Sequence, residues 1–182
     1  MNMRSTLYAV AAVLVGGLMG CGEQPRYYRV SIDRSPLANL PTSCYRSGTV
    51  PTDDRTTNVV DVGQWIIWDG VEDRKYLQVG DIDYRLGDAR VQITEGEAIV
   101  STEADDPTFT VERTQTNPNR TSRATYTFEK LGETAEGTLA LSYACSASGT
   151  TGCDPNCDAS LRFVGRRLAV DPTLIVGDTA SN

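Results

Sequence analysis

In 182 residues there is not one histidine. Its absence excludes every His-based catalytic triad, His–metal site and His proton shuttle within this chain. Lysine is nearly missing too, with only Lys75 and Lys130. Carboxylates and tyrosine are then the main candidates for a general base. Several short motifs are also lacking. There is no Cys-x-x-Cys for a redox or zinc site, no Gly-x-Ser-x-Gly elbow, no Ser-x-x-Lys, no glycine-rich phosphate loop and no Asp-x-Asp-x-Asp-Gly calcium loop. Outside the N-terminus no segment carries a 3.6-residue apolar stripe of helical length. Basic side chains are outnumbered 17 to 24, for a net charge of −7. That acidity disfavours nucleic acid and anionic headgroups as partners. With 40% apolar and 23% charged residues, the composition is that of an ordinary globular chain.

The first twenty residues have the organisation of an export signal. Arg4 is the single charge, and Leu7 to Gly20 form an apolar stretch too short to span a bilayer as a helix. The stretch ends in Leu18-Met19-Gly20-Cys21. Here the sequence resembles a bacterial lipoprotein signal peptide, whose lipobox sets an aliphatic residue three places before an obligatory cysteine and a small residue directly before it. Leu18, Gly20 and Cys21 match; Met19 is a tolerated residue. The resemblance implies cleavage before Cys21, which becomes the lipidated N-terminus bearing palmitate-type acyl chains. Each buried methylene adds about 0.8 kcal/mol, so several chains on one residue anchor a protein firmly. Gly22, rather than Asp, follows the cysteine; that pattern is similar to lipoproteins sorted to the outer membrane of Gram-negative bacteria. Loss of residues 1–20 removes Arg4 and no acid, leaving 16 basic and 24 acidic residues and a net charge of −8.

Four further cysteines remain, Cys44, Cys145, Cys153 and Cys157. An even number in an exported chain points to two disulfides, for which three connectivities exist. Cys145 closes one alternating run and Cys157 opens the next. This favours Cys145–Cys157 as the clamp of a hairpin, with Cys44–Cys153 as the second bridge. Cys44–Cys145 with Cys153–Cys157 is the close alternative. A four-thiolate zinc site would need tighter spacing than Cys153-x3-Cys157. No metal and no cofactor is implied.

The mature chain divides into a tether at 21–27, a single domain at 28–171 and a tail at 172–182. Alternation begins with Tyr28, Val30 and Ile32. Residues 34–60, rich in Pro, Ser and Thr, read as a long loop. Trp65-Ile66-Ile67-Trp68 reads as a buried strand, followed by Tyr76, Leu77 and Val79, then Ile82, Tyr84 and Leu86. Val91 and Ile93 precede Glu95-Gly96-Glu97, and Ile99 and Val100 resume after it, which reads as a hairpin. Further alternating runs centre on Phe109, Tyr126, Leu139 and Leu161, separated by polar loops at 115–123 and 146–156. About eight short strands with frequent turn signals describe an all-β fold, an antiparallel β-sandwich or β-barrel, stapled by disulfides.

Gly63-Gln64-Trp65 near the start of this meander, with Arg166-Arg167 after its last strand, resembles the lipocalin and calycin pattern. The resemblance implies that Trp65 plugs one end of an eight-stranded barrel, with Arg166 or Arg167 against its indole, and that the barrel mouth carries a small apolar ligand. The plainer expectation is that Trp65 and Trp68 pack in a sandwich. The acidic pairs Asp53-Asp54, Asp81/Asp83, Asp105-Asp106 and Asp154/Asp158 read as solvated loops. As a carboxylate-based hydrolase pair they lack any signal that sets their separation. The sequence therefore points to a non-enzymatic cell-envelope lipoprotein. It would act as a binding or structural module for another envelope protein or matrix component, with the lipocalin-like carrier as the alternative.

Overall fold

The computed structural model describes residues 25–50, 60–70, 74–93, 99–100, 108–117, 120–145 and 157–169. The leader, Cys21, Cys153 and the expected tail lie outside these residues. Ten strands are present: β1 (Arg26–Asp33), β2 (Val60–Asp69), β3 (Lys75–Gln78), β4 (Ile82–Leu86), β5 (Ala89–Ile93), β6 (Ile99–Val100), β7 (Phe109–Asn117), β8 (Arg120–Leu131), β9 (Thr134–Cys145) and β10 (Cys157–Arg167). Two short 3-10 turns, Ser35–Asn39 and Thr42–Cys44, occupy part of the long connection after β1. The fold is all-β, as the alternation indicates.

Eight strands form one antiparallel sheet in the order β6-β3-β2-β1-β10-β9-β8-β7. The sheet curls until its edge strands β6 and β7 run close together, giving a nearly closed barrel. Followed around the barrel, each strand neighbours the next in the chain, and β10 returns to pair with β1 from Tyr28↔Arg167 to Ile32↔Phe163. Only β4 and β5 leave this meander. They form a separate hairpin laid against β7, β8, β9 and β10.

The period-2 pattern decides which side chains face in. On β4 and β5, Ile82, Tyr84, Leu86, Ala89, Val91 and Ile93 are all buried and the residues between them exposed. On β10 the buried positions are Cys157, Leu161, Phe163 and Gly165. The outer surface of β7 to β10 carries Glu112, Thr114, Arg123, Glu136 and Arg162, so it faces water. This is the reverse of a bilayer-embedded barrel, whose outer band is apolar.

Three expectations are corrected. Val91 and Ile93 do not pair with Ile99 and Val100; β5 pairs with β4, and β6 with β3. The cause is Gly87-Asp88, a two-residue turn between Leu86 and Ala89, with Gly87 at φ +68°. Positive φ at the first central position is what tight hairpin turns require and glycine supplies. Residues 115–123 are mostly strand rather than loop, because β7 and β8 pair out to Asn117↔Arg120. Their ends run beyond the apolar core, where alternation of hydrophobicity no longer reports pairing.

The third correction concerns sulfur. Cys44 is bonded to Cys157, with Cα atoms 5.7 Å apart and a sequence separation of 113. Neither favoured pairing has this bond. The register explains why: β9 and β10 place Cys157 opposite Tyr143, not Cys145. Cys145 is itself disulfide-bonded, to a partner outside the described residues. The Cys44–Cys157 bridge also receives the hairpin turn. Asp88 N–H donates to the Cys44 carbonyl (3.1 Å), and the Asp88 carboxylate accepts from Arg46 N–H (2.6 Å). A Cβ on Gly87 would fall 2.1 Å from the Cys44 carbonyl oxygen, so no other residue fits the contact.

Non-reducing peptide mapping should recover a Cys44–Cys157 cross-linked peptide; a Cys145–Cys157 peptide would contradict this topology. Replacing both residues by Ala should lower the urea-unfolding free energy by about 4 to 5 kcal/mol, the value loop closure of this length implies.

Candidate functional surface

The interior is filled at its centre by rings. The Trp65 indole meets Phe163 (centroids 4.7 Å), Tyr126 (5.3 Å) and Phe128 (6.0 Å) edge-on, and Phe109 stacks on Phe128 at 4.2 Å. Gly137 makes room for this. It pairs with Phe128 on one side and Phe163 on the other, and a Cβ there would lie 2.7 Å from the Phe163 ring and 2.0 Å from the Thr127 carbonyl oxygen.

Trp65, the expected plug, is buried, and the rings it meets are aromatic. Gly63-Gln64-Trp65 lies on β2, not on the first strand, and Trp65 packs against aromatic rings. Arg166 and Arg167 are exposed. Inward positions on β10 are odd-numbered through Gly165, so Arg166 points away from the core, while Arg167 stands opposite Tyr28, which pairs in turn with Trp65. The sequence motif located a core tryptophan.

Each rim of the barrel holds a buried polar cluster. At the rim where the chain enters, Arg26 on β1 and Lys75 on β3 are 6% and 4% exposed. Both bind the Asp69 carboxylate between them: Arg26 Nη2 donates to Oδ2 at 2.7 Å and Lys75 Nζ to Oδ1. This ties three adjacent strands together. Just inside, the Tyr28 hydroxyl donates to the Gly132 carbonyl in the β8–β9 connection (2.8 Å). At the opposite rim the Tyr84 hydroxyl donates to Asp61 Oδ2 (2.9 Å), and the Arg34 guanidinium sits 5.1 Å from the centre of the Tyr84 ring. None of these residues was singled out as polar core from the sequence. The available signal was a charge at an inward position of each strand, Arg26, Asp69 and Lys75.

Among the described residues two outer patches depart from the polar exterior. Val62 and Val164 both pair with Ser31 and are 51% and 53% exposed; Val60 lies two residues along, beside Asp33. The second patch lies at the Arg26–Asp69–Lys75 rim. Tyr27 pairs with Ile66, Trp68 pairs with Tyr76, and the Trp68 and Tyr76 rings stack at 5.5 Å with 12° between planes. Leu168 donates its N–H to the Tyr27 carbonyl (2.8 Å), which brings it to the same row. All five side chains are half-buried.

Of the acidic pairs, only Asp81, Asp83 and Asp158 fall among the described residues, and Asp81 is exposed. Asp83 is exposed and held by Arg90, Asp158 is exposed, and Asp53, Asp54, Asp105, Asp106 and Asp154 lie outside the described residues. Among the described residues no group of three or more His, Cys, Asp and Glu could hold a metal ion. Comparison with protein-family models, with curated proteins and with solved structures finds no match.

Asp69→Asn leaves two buried cations facing a neutral amide. Chemical denaturation should show a loss of roughly 2 to 4 kcal/mol, below the full value for a buried pair because the carboxylate is partly exposed. A loss under about 0.5 kcal/mol would mean the cluster is only a surface pair.

Burial raises the tyrosine hydroxyls Tyr28, Tyr84 and Tyr126 above their ordinary value of 10.0, with the Asp61 carboxylate adding to the effect at Tyr84. In the unfolded chain these groups ionise at about pH 10, while in the folded protein they stay neutral to higher pH. Their contribution to stability is thus complete below pH 10 and lost as pH rises toward the folded values. Each should steepen the fall above pH 10 by up to about 1.4 kcal/mol per pH unit. Urea titrations between pH 8 and 11.5 on the parent and on Tyr126→Phe should show a shallower alkaline decline in the variant.

Proposed function

We propose that this chain is a lipoprotein of the bacterial cell envelope. It is cleaved before Cys21, held to the membrane through acyl chains on that residue, and acts as a binding or structural module toward another envelope protein or matrix component. The observation that carries this reading is one of spacing and chemistry together. A lipobox cysteine stands five residues before Arg26, where an oxidised, disulfide-closed β-domain begins. Disulfides persist in exported compartments and are rare in the cytosol. Gly22 supports sorting to the outer membrane.

The carrier reading draws on the pairing of first and last strands in an eight-strand meander. A carrier needs an apolar space several hundred Å3 in size. Here the centre of the barrel is occupied by Trp65, Tyr126, Phe128 and Phe163 in mutual contact. The binding surface of the module is therefore its exterior, and the interior serves to hold that exterior rigid.

Expression of the full chain in a Gram-negative host should give a mature protein whose N-terminal peptide starts at Cys21 and carries a diacylglyceryl group with a third, amide-linked chain, read by mass spectrometry. Alkyne-palmitate labelling should be lost in Cys21→Ser. An unmodified Cys21, or cleavage at another site, would end this reading.

A further inference from the structure

We infer that the rim carrying Tyr27, Ile66, Trp68, Tyr76 and Leu168 lies against the lipid bilayer, with the Trp68–Tyr76 stack seated among the headgroups of zwitterionic phospholipid. The inference rests on acylation of Cys21. If Cys21 is acylated, the chain has five residues in which to pass from the bilayer surface to Arg26. Extended backbone covers at most about 3.6 Å per residue, so the rim is held within roughly 18 Å of the acyl chains. The strand that emerges there is β1, and Tyr27 is its second residue.

The patch at that rim has the composition a membrane interface selects. Tryptophan and tyrosine join an apolar body to a polar tip and favour the boundary between headgroups and hydrocarbon. Trp68, Tyr76 and Tyr27 sit on three adjacent strands of the outer face, with Ile66 and Leu168 filling the row between and beside them. Elsewhere the outward positions of β7 to β10 are dominated by Thr, Ser, Glu and Arg. Rigidity comes from beneath: the residues next to Tyr27 and Tyr76 are Arg26 and Lys75, both fastened inward to Asp69. The rings are thus presented at fixed positions, and tethering supplies a high local concentration of bilayer. The net charge of −8 after cleavage makes zwitterionic rather than anionic lipid the partner. The Val60–Val62–Val164 patch lies toward the far end of the same strands and would face away from the membrane.

The test uses the acylated full-length mature protein in phosphatidylcholine vesicles containing brominated lipid, with bromines at defined depths. The chain has two tryptophans, and Trp65 is only 3% exposed. The Trp68 emission should be quenched, most strongly by bromines nearest the headgroup. Trp68→Phe, which retains Trp65 alone, should lose this quenching. Val62→Trp in the Trp68→Phe background places the reporter at the far end and should be unquenched. Unquenched Trp68 in protein that floats with the vesicles would overturn the docking while leaving the anchor intact, as would equal quenching at both ends. Protein that neither floats nor carries lipid on Cys21 would remove the anchor, and the docking with it.

Discussion

The bond between Cys44 and Cys157 is the constraint on which the arrangement turns. It joins the connection after the first strand to the start of the last strand, across 113 residues, at the edge of the β1–β10 seam. First-to-last pairing has a high chain-entropy cost because its contacts are so distant in sequence. The bridge lowers that cost by confining the unfolded chain. It also provides the floor for the Gly87-Asp88 turn, so the β4–β5 hairpin, the seam and the disulfide form one unit.

Inside this frame the centre and the rims are built from different chemistry. The centre is aromatic: Trp65, Tyr126, Phe128 and Phe163 meet at edge-to-face distances over Gly137, where dispersion and ring quadrupoles stabilise contact without polar atoms. The rims are where strands end and water begins, and there charged side chains fold inward onto a carboxylate. Arg26 and Lys75 around Asp69 at one rim, and Tyr84 with Arg34 and Asp61 at the other, join neighbouring elements at positions where a purely apolar side chain would leave the barrel end open. Such clusters add geometric specificity more than net stability.

The proposed role follows from this division. With its centre occupied by rings, the barrel leaves chemistry to its outside, and among the described residues that outside is polar except at two patches. An acyl anchor at Cys21 would put the aromatic patch at the membrane and the valine patch away from it. On this proposal one rim would meet lipid and the other would face a partner in the envelope.

Strand content and facing were legible in the amino-acid order, because alternation has period two and the core side chains from Tyr28 to Phe163 obey it. The resemblance to a lipoprotein signal and the pairing potential of the cysteines rest on a similar kind of information, local patterns or simple counts. Which cysteine bonds to which was not legible, since a two-residue shift in register between β9 and β10 changes the residue opposite Cys157 while keeping every side chain on its face. The same holds for Gly87-Asp88, a two-residue turn legible in principle but outweighed by the acidic Glu95-Gly96-Glu97 segment. It holds again for Trp65, whose neighbours come from strands about 60 to 100 residues away. Sequence by itself determined the class of fold and the face each residue takes, because these depend on neighbours along the chain. Only the tertiary structure decided the closure of the meander, the sulfur pairing and the gathering of aromatics on one rim, because these depend on register between segments far apart in sequence.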